Sequence, residues 1–315
     1  MSNNKNLIAT GARLVSRHQR ILWWIFAVSF LLSYLGTLAP AATFGKVLDH
    51  SLVGPSQFVR SFNLLSFAEL MSRPDVPMNT LISGSVALQI VFFFFMLFIA
   101  GGILTVYRED RHLTTSEFFE ASGLYFWRFF RLVLLSLVPF AVIMGINAGF
   151  GALGDKLADA TPRQDYVFYY HLAVDVIVVL MLLIVRLWFD IAQVRAVAQN
   201  ERGMIRNTWR AMKISWRALG TLLWMYFRIS LIAWIVLGAG LWFWSYFPSS
   251  AYPASWLLLE IILIVQIAVR LWLRASAITW YQSYAEVHPA LAADATTPKP
   301  LEIVEPTTVA GESPL

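Results

Sequence analysis

The sequence predicts an all-α fold, a polytopic membrane bundle of six transmembrane helices joined on one side by cytoplasmic amphipathic helices. Three observations predict it. The first is composition: 58% of the 315 residues are hydrophobic and only 14% charged, with 13 Trp and 23 Phe. An ordinary soluble domain has about 45–50% apolar and roughly 25% charged residues, and one of this size could not hide so much apolar surface. The second is a set of six apolar stretches, each long enough to cross a hydrocarbon core of about 30 Å. The third is the basic residues, which alternate from loop to loop. Together these exclude a soluble enzyme, a nucleic-acid-binding protein and a disordered scaffold. The formal charge of +5 sits at helix ends rather than on a nucleic-acid face. Cysteine is absent, which removes disulfides, thiol catalysis, iron–sulfur clusters, palmitoylation and a lipoprotein anchor.

In chain order, a basic N-terminal segment (1–20) leads into the first span, 21–39. Ala39-Pro40-Ala41 mimics a signal-peptide cleavage site. The apolar run exceeds the usual length of about 7–15 residues, however, and a polar segment precedes it, so an uncleaved anchor is expected. The outer loop 40–80 is long for a structureless connection. Phe58, Phe62 and Leu65 recur at helical spacing ahead of Pro74 and Pro77, predicting a short helix on the outer face that either caps a cavity or anchors the loop. The remaining spans are 81–106, 124–150, 167–194, 218–247 and 254–280. Each must be helical, because the bilayer offers no partner to backbone polar groups. They complete a transmembrane domain over 21–285. The segment 286–315 carries Pro289, Pro298, Pro300, Pro306, Pro314, Glu302, Glu305 and Glu312 and reads as a disordered cytoplasmic tail.

Loop charges set the orientation. Lys5, Arg13, Arg17 and Arg20 precede the first span. Arg108, Arg111, Arg128 and Arg131 surround the second connection, and Arg195, Arg202, Arg206, Arg210, Lys213 and Arg217 the fourth. Arg270 and Arg274 close the sixth span. The opposite loops hold Lys46, Arg60, Arg73, Lys156 and Arg163 among six acids. The positive-inside rule then places both termini in the cytoplasm of a cell whose inner membrane the chain spans.

Residues 185–190 (VRLWFD) resemble 269–274 (VRLWLR), near the cytoplasmic ends of the fourth and sixth spans. A weaker echo relates the second-to-third connection to the fourth-to-fifth. Both suggest three diverged helical hairpins. Within the fourth-to-fifth connection, Arg202, Arg206, Arg210, Lys213 and Arg217 step by 4, 4, 3 and 4, while Ile205, Trp209, Met212, Trp216 and Leu219 step by 4, 3, 4 and 3. One helix then carries a cationic stripe beside an aromatic one. Such a helix lies in the cytoplasmic interface with its cations toward lipid phosphates, each contributing about 1 kcal/mol near an anionic surface. It serves either as a topology anchor or in recognition of an anionic lipid or acidic partner. Replacing Arg206, Arg210 and Lys213 by Gln is expected to weaken association with anionic lipid. Thr114 and Glu117 fit a capping box opening a helix on which Phe118, Ala121, Tyr125 and Phe129 face lipid or core.

Charged groups inside a membrane are costly and mark candidate sites. Asp175, Arg186, Asp190, Arg228, Glu260, Arg270 and Arg274 fall within the spans. Arg186 and Asp190 stand one helical turn apart, and the repeat sets Asp190 and Arg274 at equivalent depths with opposite charge. Asp190 is therefore expected within reach of Arg274 or Arg270, as a structural pair or as part of a proton or substrate relay. Asp175 and Glu260 either line a polar cavity open to the outside or are simply solvated.

Several motifs fail. Residues 149–154 (GFGALG) match GxGxxG but follow a membrane helix rather than a strand, so Gly145 and Gly149 are read as a GxxxG packing surface. The five histidines, His18, His50, His112, His171 and His288, lack metal-site spacing. No serine elbow and no paired intramembrane aspartate motif is present. No cofactor is expected, nor enzymatic activity.

Gly101-Gly102, Asp190-Ile191-Ala192, the basic stripe from Arg202 to Arg217 and Arg270-Leu271-Trp272-Leu273-Arg274 together resemble an uncharacterised bacterial six-helix integral membrane protein family. The layout over about residues 20–285 is also similar to the membrane domain of some glycerophosphodiester phosphodiesterases. The hydrolase domain of those enzymes has no counterpart here, so the resemblance implies a fold and no activity. The expectation is a non-enzymatic accessory or scaffold protein that engages anionic membrane lipids, a protein partner or a second copy of itself, and no nucleic acid. The alternative is a small-solute or lipid transporter using Asp175, Glu260 and Arg228.

Overall fold

The computed structural model describes residues 4–49, 78–160, 164–247 and 252–288. The expected outer-loop helix around 58–65 and nearly all of the tail 286–315 lie outside the described residues. These form eight helices and no strand: α1 Asn4–Arg17, α2 Gln19–Asp49, α3 Met78–Glu109, α4 Thr115–Ala160, α5 Gln164–Ala198, α6 Met204–Arg217, α7 Leu219–Trp244 and α8 Tyr252–Val287. Six of them, α2, α3, α4, α5, α7 and α8, are long and apolar enough to cross a membrane. The chain is a multi-pass, all-α membrane bundle.

The three descending spans α3, α5 and α8 touch one another at the centre. Around them, α2 lies against α3 and α8, α4 against α3 and α5, and α7 against α8. The amphipathic helices lie at the basic end, α1 against α8 and α6 against α5. The N-terminal segment, read from sequence as a basic polar stretch, is thus a packed helix. Leu7, Leu14 and Val15 are buried together with His18 just beyond it.

The core gathers at that basic end. Ile103, Leu104, Phe129, Leu187, Ile191, Leu222, Met225 and Ile278 are all at most 2% exposed. Toward the opposite end, Val138, Val142, Val176, Trp234 and Trp242 are more than half exposed, with only a small satellite cluster of Ile143, Val174 and Val178. Apolar side chains without protein neighbours are what lipid-facing surface requires, because acyl chains are as apolar as Leu.

Three units repeat about the central trio. Phe98 stacks on Phe119 at 6.1 Å, the Trp188 Nε1–H donates to the Thr208 carbonyl at 2.6 Å, and the Trp272 Nε1–H donates to the Ile8 carbonyl at 2.8 Å. One turn further on, each descending helix meets its amphipathic partner closely. A Cβ on Gly102 would stand 2.5 Å from Ser122 Oγ, and a Cβ on Gly11 would stand 2.9 Å from the Ser276 backbone nitrogen. In the third unit Asn207 Nδ2 donates to the Ala192 carbonyl at 2.8 Å. One-residue breaks at His18 and Ala218 separate α1 from α2 and α6 from α7. The corresponding segment of α4 runs into its span unbroken over 46 residues. The Thr114–Glu117 capping box starts it: the Thr114 amide donates to Glu117 Oε2 at 2.7 Å and the Glu117 amide to Thr114 Oγ1 at 3.3 Å.

The glycine surface assigned to Gly145 and Gly149 needs correction, since nothing lies within 4 Å of a Cβ at either position. They fall where the helices diverge. Close packing uses Gly102 and Gly101, whose Cβ would stand 2.8 Å from Tyr125 Cβ.

Candidate functional site

Two groupings at the basic half gather the polar side chains. The first is α6. Helical spacing gives it three faces rather than the two legible in sequence. Met204, Asn207, Thr208, Ala211, Ile214 and Ser215 form a buried face. It is fastened to α5 by the Trp188 and Asn207 hydrogen bonds, while Thr208 Oγ1 donates within the helix to the Met204 carbonyl at 2.7 Å. The aromatic stripe points outward, with Ile205 75%, Trp209 56% and Trp216 68% exposed. Of the cationic stripe, Arg206, Lys213 and Arg217 are exposed on the helix, and Arg202, also exposed, precedes it. Arg210 departs from it and pairs with Glu201 at 3.3 Å.

Glu201 joins Arg210 to a residue the sequence reading counted only as a loop charge. Arg195 is fully buried and meets Glu201 Oε2 at 3.1 Å. Its guanidinium also donates to Gln199 Oε1 at 2.9 Å and to the Asn207 carbonyl at 3.4 Å. A buried cation persists only when paired and hydrogen-bonded. The available signal was register: Arg195 is one turn from Ile191 and two from Leu187, on the buried stripe of α5.

Asp110 and Asn200 also escaped notice. They sit just past the ends of α3 and α5 with φ of 46° and 50°, a left-handed conformation that Asp and Asn tolerate better than most residues. Asp110 holds Arg17 at 3.1 Å and His18 at 3.5 Å. Asn200 Oδ1 accepts a bond from Arg128 Nη1 at 2.6 Å. Burial pushes the His18 imidazole below its usual 6.5, against the opposing pull of Asp110, while the neighbouring His112 adds to the depression.

The second grouping is a cavity of about 370 Å³ between α5, α7 and α8. Its polar lining is Arg186, Asp190, Ser230, Gln266, Arg270 and Arg274. Arg186 Nε stands 3.9 Å from Asp190 Oδ2. Arg274 faces the same cavity, and its Nη1 is buried without a hydrogen-bond partner among the described residues. Gln266 Nε2 donates to the Ala233 carbonyl at 2.9 Å. Four of the seven intramembrane ionisable residues therefore share one space.

The other three do not, which corrects the grouping read from sequence. Asp175 is exposed on α5, two turns or more from Arg186 along the same helix. Arg228 lies over the Trp224 ring at 5.7 Å, a cation–π contact. Glu260 is partly buried on the outer part of α8, with Oε2 unpartnered among the described residues. Helix register separates them: none lines the cavity. Among the described residues no group of three or more His, Asp or Glu side chains could hold a metal ion. Comparison of the chain with protein-family models, with curated proteins and with solved structures finds no match.

Proposed function

We propose that the chain is a non-enzymatic accessory or scaffold protein of the inner membrane, with its basic end and both termini in the cytoplasm, which engages anionic lipid through α6. One observation carries this reading. The buried face of α6 is bolted to α5, so two exposed stripes stand side by side, Ile205, Trp209 and Trp216 next to Arg206, Lys213 and Arg217. Aromatic rings at acyl depth beside cations at phosphate height suit the face of an anionic leaflet. A protein partner or a second copy with an acidic surface would meet the same stripe. Kinship with the bacterial six-helix family belongs to this proposal and adds no activity.

The test replaces Arg206, Lys213 and Arg217 by Gln and quantifies the lipids that remain with the protein in polymer-bounded native discs. Arg210 is left in place because Glu201 already engages it. The enrichment of anionic over zwitterionic lipid is expected to fall about twofold or more, at roughly 1 kcal/mol for each cation near the surface. Unchanged enrichment would reduce the stripe to a topology signal. The rival reading, transport of a solute or lipid past Asp175, Glu260 and Arg228, ranks lower because these three groups stand apart from the cavity.

A further inference from the structure

The α5–α7–α8 cavity has a composition that a structural ion network does not need. A network that only ties helices together balances its charges, since an unpaired charge in a low-dielectric setting is costly. Here three arginines face one aspartate. Asp190 is already approached by Arg186. Arg270, which is exposed, makes no hydrogen bond or ion pair among the described residues, and Arg274 keeps a buried, unpartnered Nη1. Three guanidinium groups thus border one space with a single carboxylate among them.

The polarity of the walls is also ordered along the bundle. Asp190 and Arg274 lie nearest the basic end. Arg186 and Arg270 follow one turn deeper, with Ser230 opposite on α7. Beyond them α7 contributes Ala233, Trp234 and Leu237, all apolar, and the one remaining amide, Gln266, is committed to the Ala233 carbonyl. At about 1.5 Å per residue, Asp190 is roughly 12 Å and Arg186 roughly 18 Å from the end of α5. The cationic part therefore lies toward the interface and the apolar part toward the middle of the bilayer. That is the profile of a single amphiphile: an oxyanion at one end and a hydrocarbon chain at the other.

We infer that this cavity binds the oxyanion of a phosphate- or carboxylate-bearing ligand between Arg270 and Arg274, with Arg186 at its rim. Guanidinium forks match such groups through paired N–H···O bonds. The apolar upper wall takes an acyl chain when the oxyanion belongs to a lipid, and a free anion occupies the cationic part alone. Asp190 opposes the ligand's charge and limits its affinity. The inference is independent of α6, because it concerns one tightly held molecule between helices and not the surrounding lipid shell.

Native mass spectrometry of the protein released from nanodiscs of phosphatidylcholine and phosphatidylglycerol tests it, with inorganic phosphate added in a parallel series. One phosphatidylglycerol retained per chain, insensitive to phosphate, identifies a lipid headgroup as the source. Release of that lipid by phosphate, or a bound phosphate adduct in its place, identifies the free anion. Arg270→Gln and Arg274→Gln are each expected to lower retention about tenfold. Asp190→Asn, which removes only the opposing charge, is expected to raise it. Equal retention in wild type and both arginine variants overturns the inference. So does loss in Asp190→Asn matching that in the arginine variants, since a merely damaged bundle would lose ligand in all three. Arg206→Gln combined with Lys213→Gln leaves the retained molecule in place, so failure here and failure of the α6 reading are told apart.

Discussion

Trp188 and Trp272 make the same bond in different units of the repeat. Each indole N–H reaches a backbone carbonyl on an amphipathic helix, Thr208 on α6 at 2.6 Å and Ile8 on α1 at 2.8 Å. Those carbonyls belong to helix interiors and already accept within the helix, so the indole fastens a whole helix rather than a loose end. The short VRLW repeat is the sequence trace of this shared fastening.

Trp272→Phe keeps the ring and removes the donor. A net hydrogen bond contributes about 1 kcal/mol, so α1 is expected to open about fivefold more often. Hydrogen exchange over 4–17 reads this directly, with α6 as the internal control. Equal protection in both proteins would show that packing alone seats α1.

Gly102→Val is expected to destabilise by about 1–3 kcal/mol, the usual cost of overpacking, because Ser122 Oγ and the Phe118 ring occupy the space its side chain needs. Gly145→Ala, with open surroundings, is expected to leave the thermal midpoint unchanged or slightly raised through better helix propensity. Intrinsic-fluorescence melting of the two variants in detergent decides the matter, and a reversed order would relocate the tight helix contact to α4.

Removing one partner of a buried ion pair strands the other, at about 3–5 kcal/mol. Glu201→Ala is accordingly expected to lower the melting temperature far more than Arg202→Ala one position away, which is exposed. Pairing Glu201→Ala with Arg195→Met should recover part of the loss. If the double variant is no better than the single, the role assigned to the Arg195–Glu201 pair fails.

His18 introduces a pH dependence. Burial holds its folded-state pKa below the unfolded value of 6.5, so the unfolded chain binds the proton more tightly. The stabilising contribution is full above pH 6.5 and drains away as the pH falls below it. Arg17, Asp110 and His112 face the ring, and only Asp110 resists the loss. Melting temperatures measured across that window should fall on acidification in the wild type and fall less in His18→Phe. Parallel curves would remove His18 from the account.

The span count and the basic end were legible because hydropathy and loop charge are one-dimensional signals. The repeat was half legible: Trp188 and Trp272 announce it, but the third unit carries Phe98 and only geometry aligns it. On α6 periodicity found Arg206, Lys213 and Arg217 and the Ile205, Trp209 and Trp216 side chains that are exposed, but Arg202 precedes the helix, Leu219 follows it and Arg210 turns to Glu201. The third face was not found, because Asn207, Thr208 and Ser215 are polar residues whose burial rests on tertiary contacts, such as the Asn207 bond to the Ala192 carbonyl of α5, that periodicity does not reveal. Arg195 failed for the same reason, as position in a basic run hides which member turns inward. For the intramembrane charges, residue type identified seven candidates, while helix rotation, which no single-sequence pattern fixes, admitted four to one cavity.

The unbroken α4 sets its unit apart mechanically. In the units of α2 and α7, a one-residue break at His18 or Ala218 separates the span from its interfacial helix. α4 has no break at the matching place, and its 46 residues extend roughly 69 Å, more than twice the thickness of the hydrocarbon, with Pro139 the interior position where it can bend. Below Pro139 the span and its interfacial segment are one continuous helix, so a tilt of that part bears directly on the Arg128–Asn200 and Arg111–Glu117 contacts. Of the three spokes, this one alone couples the tilt of its span to its interfacial segment without a break in the helix between them.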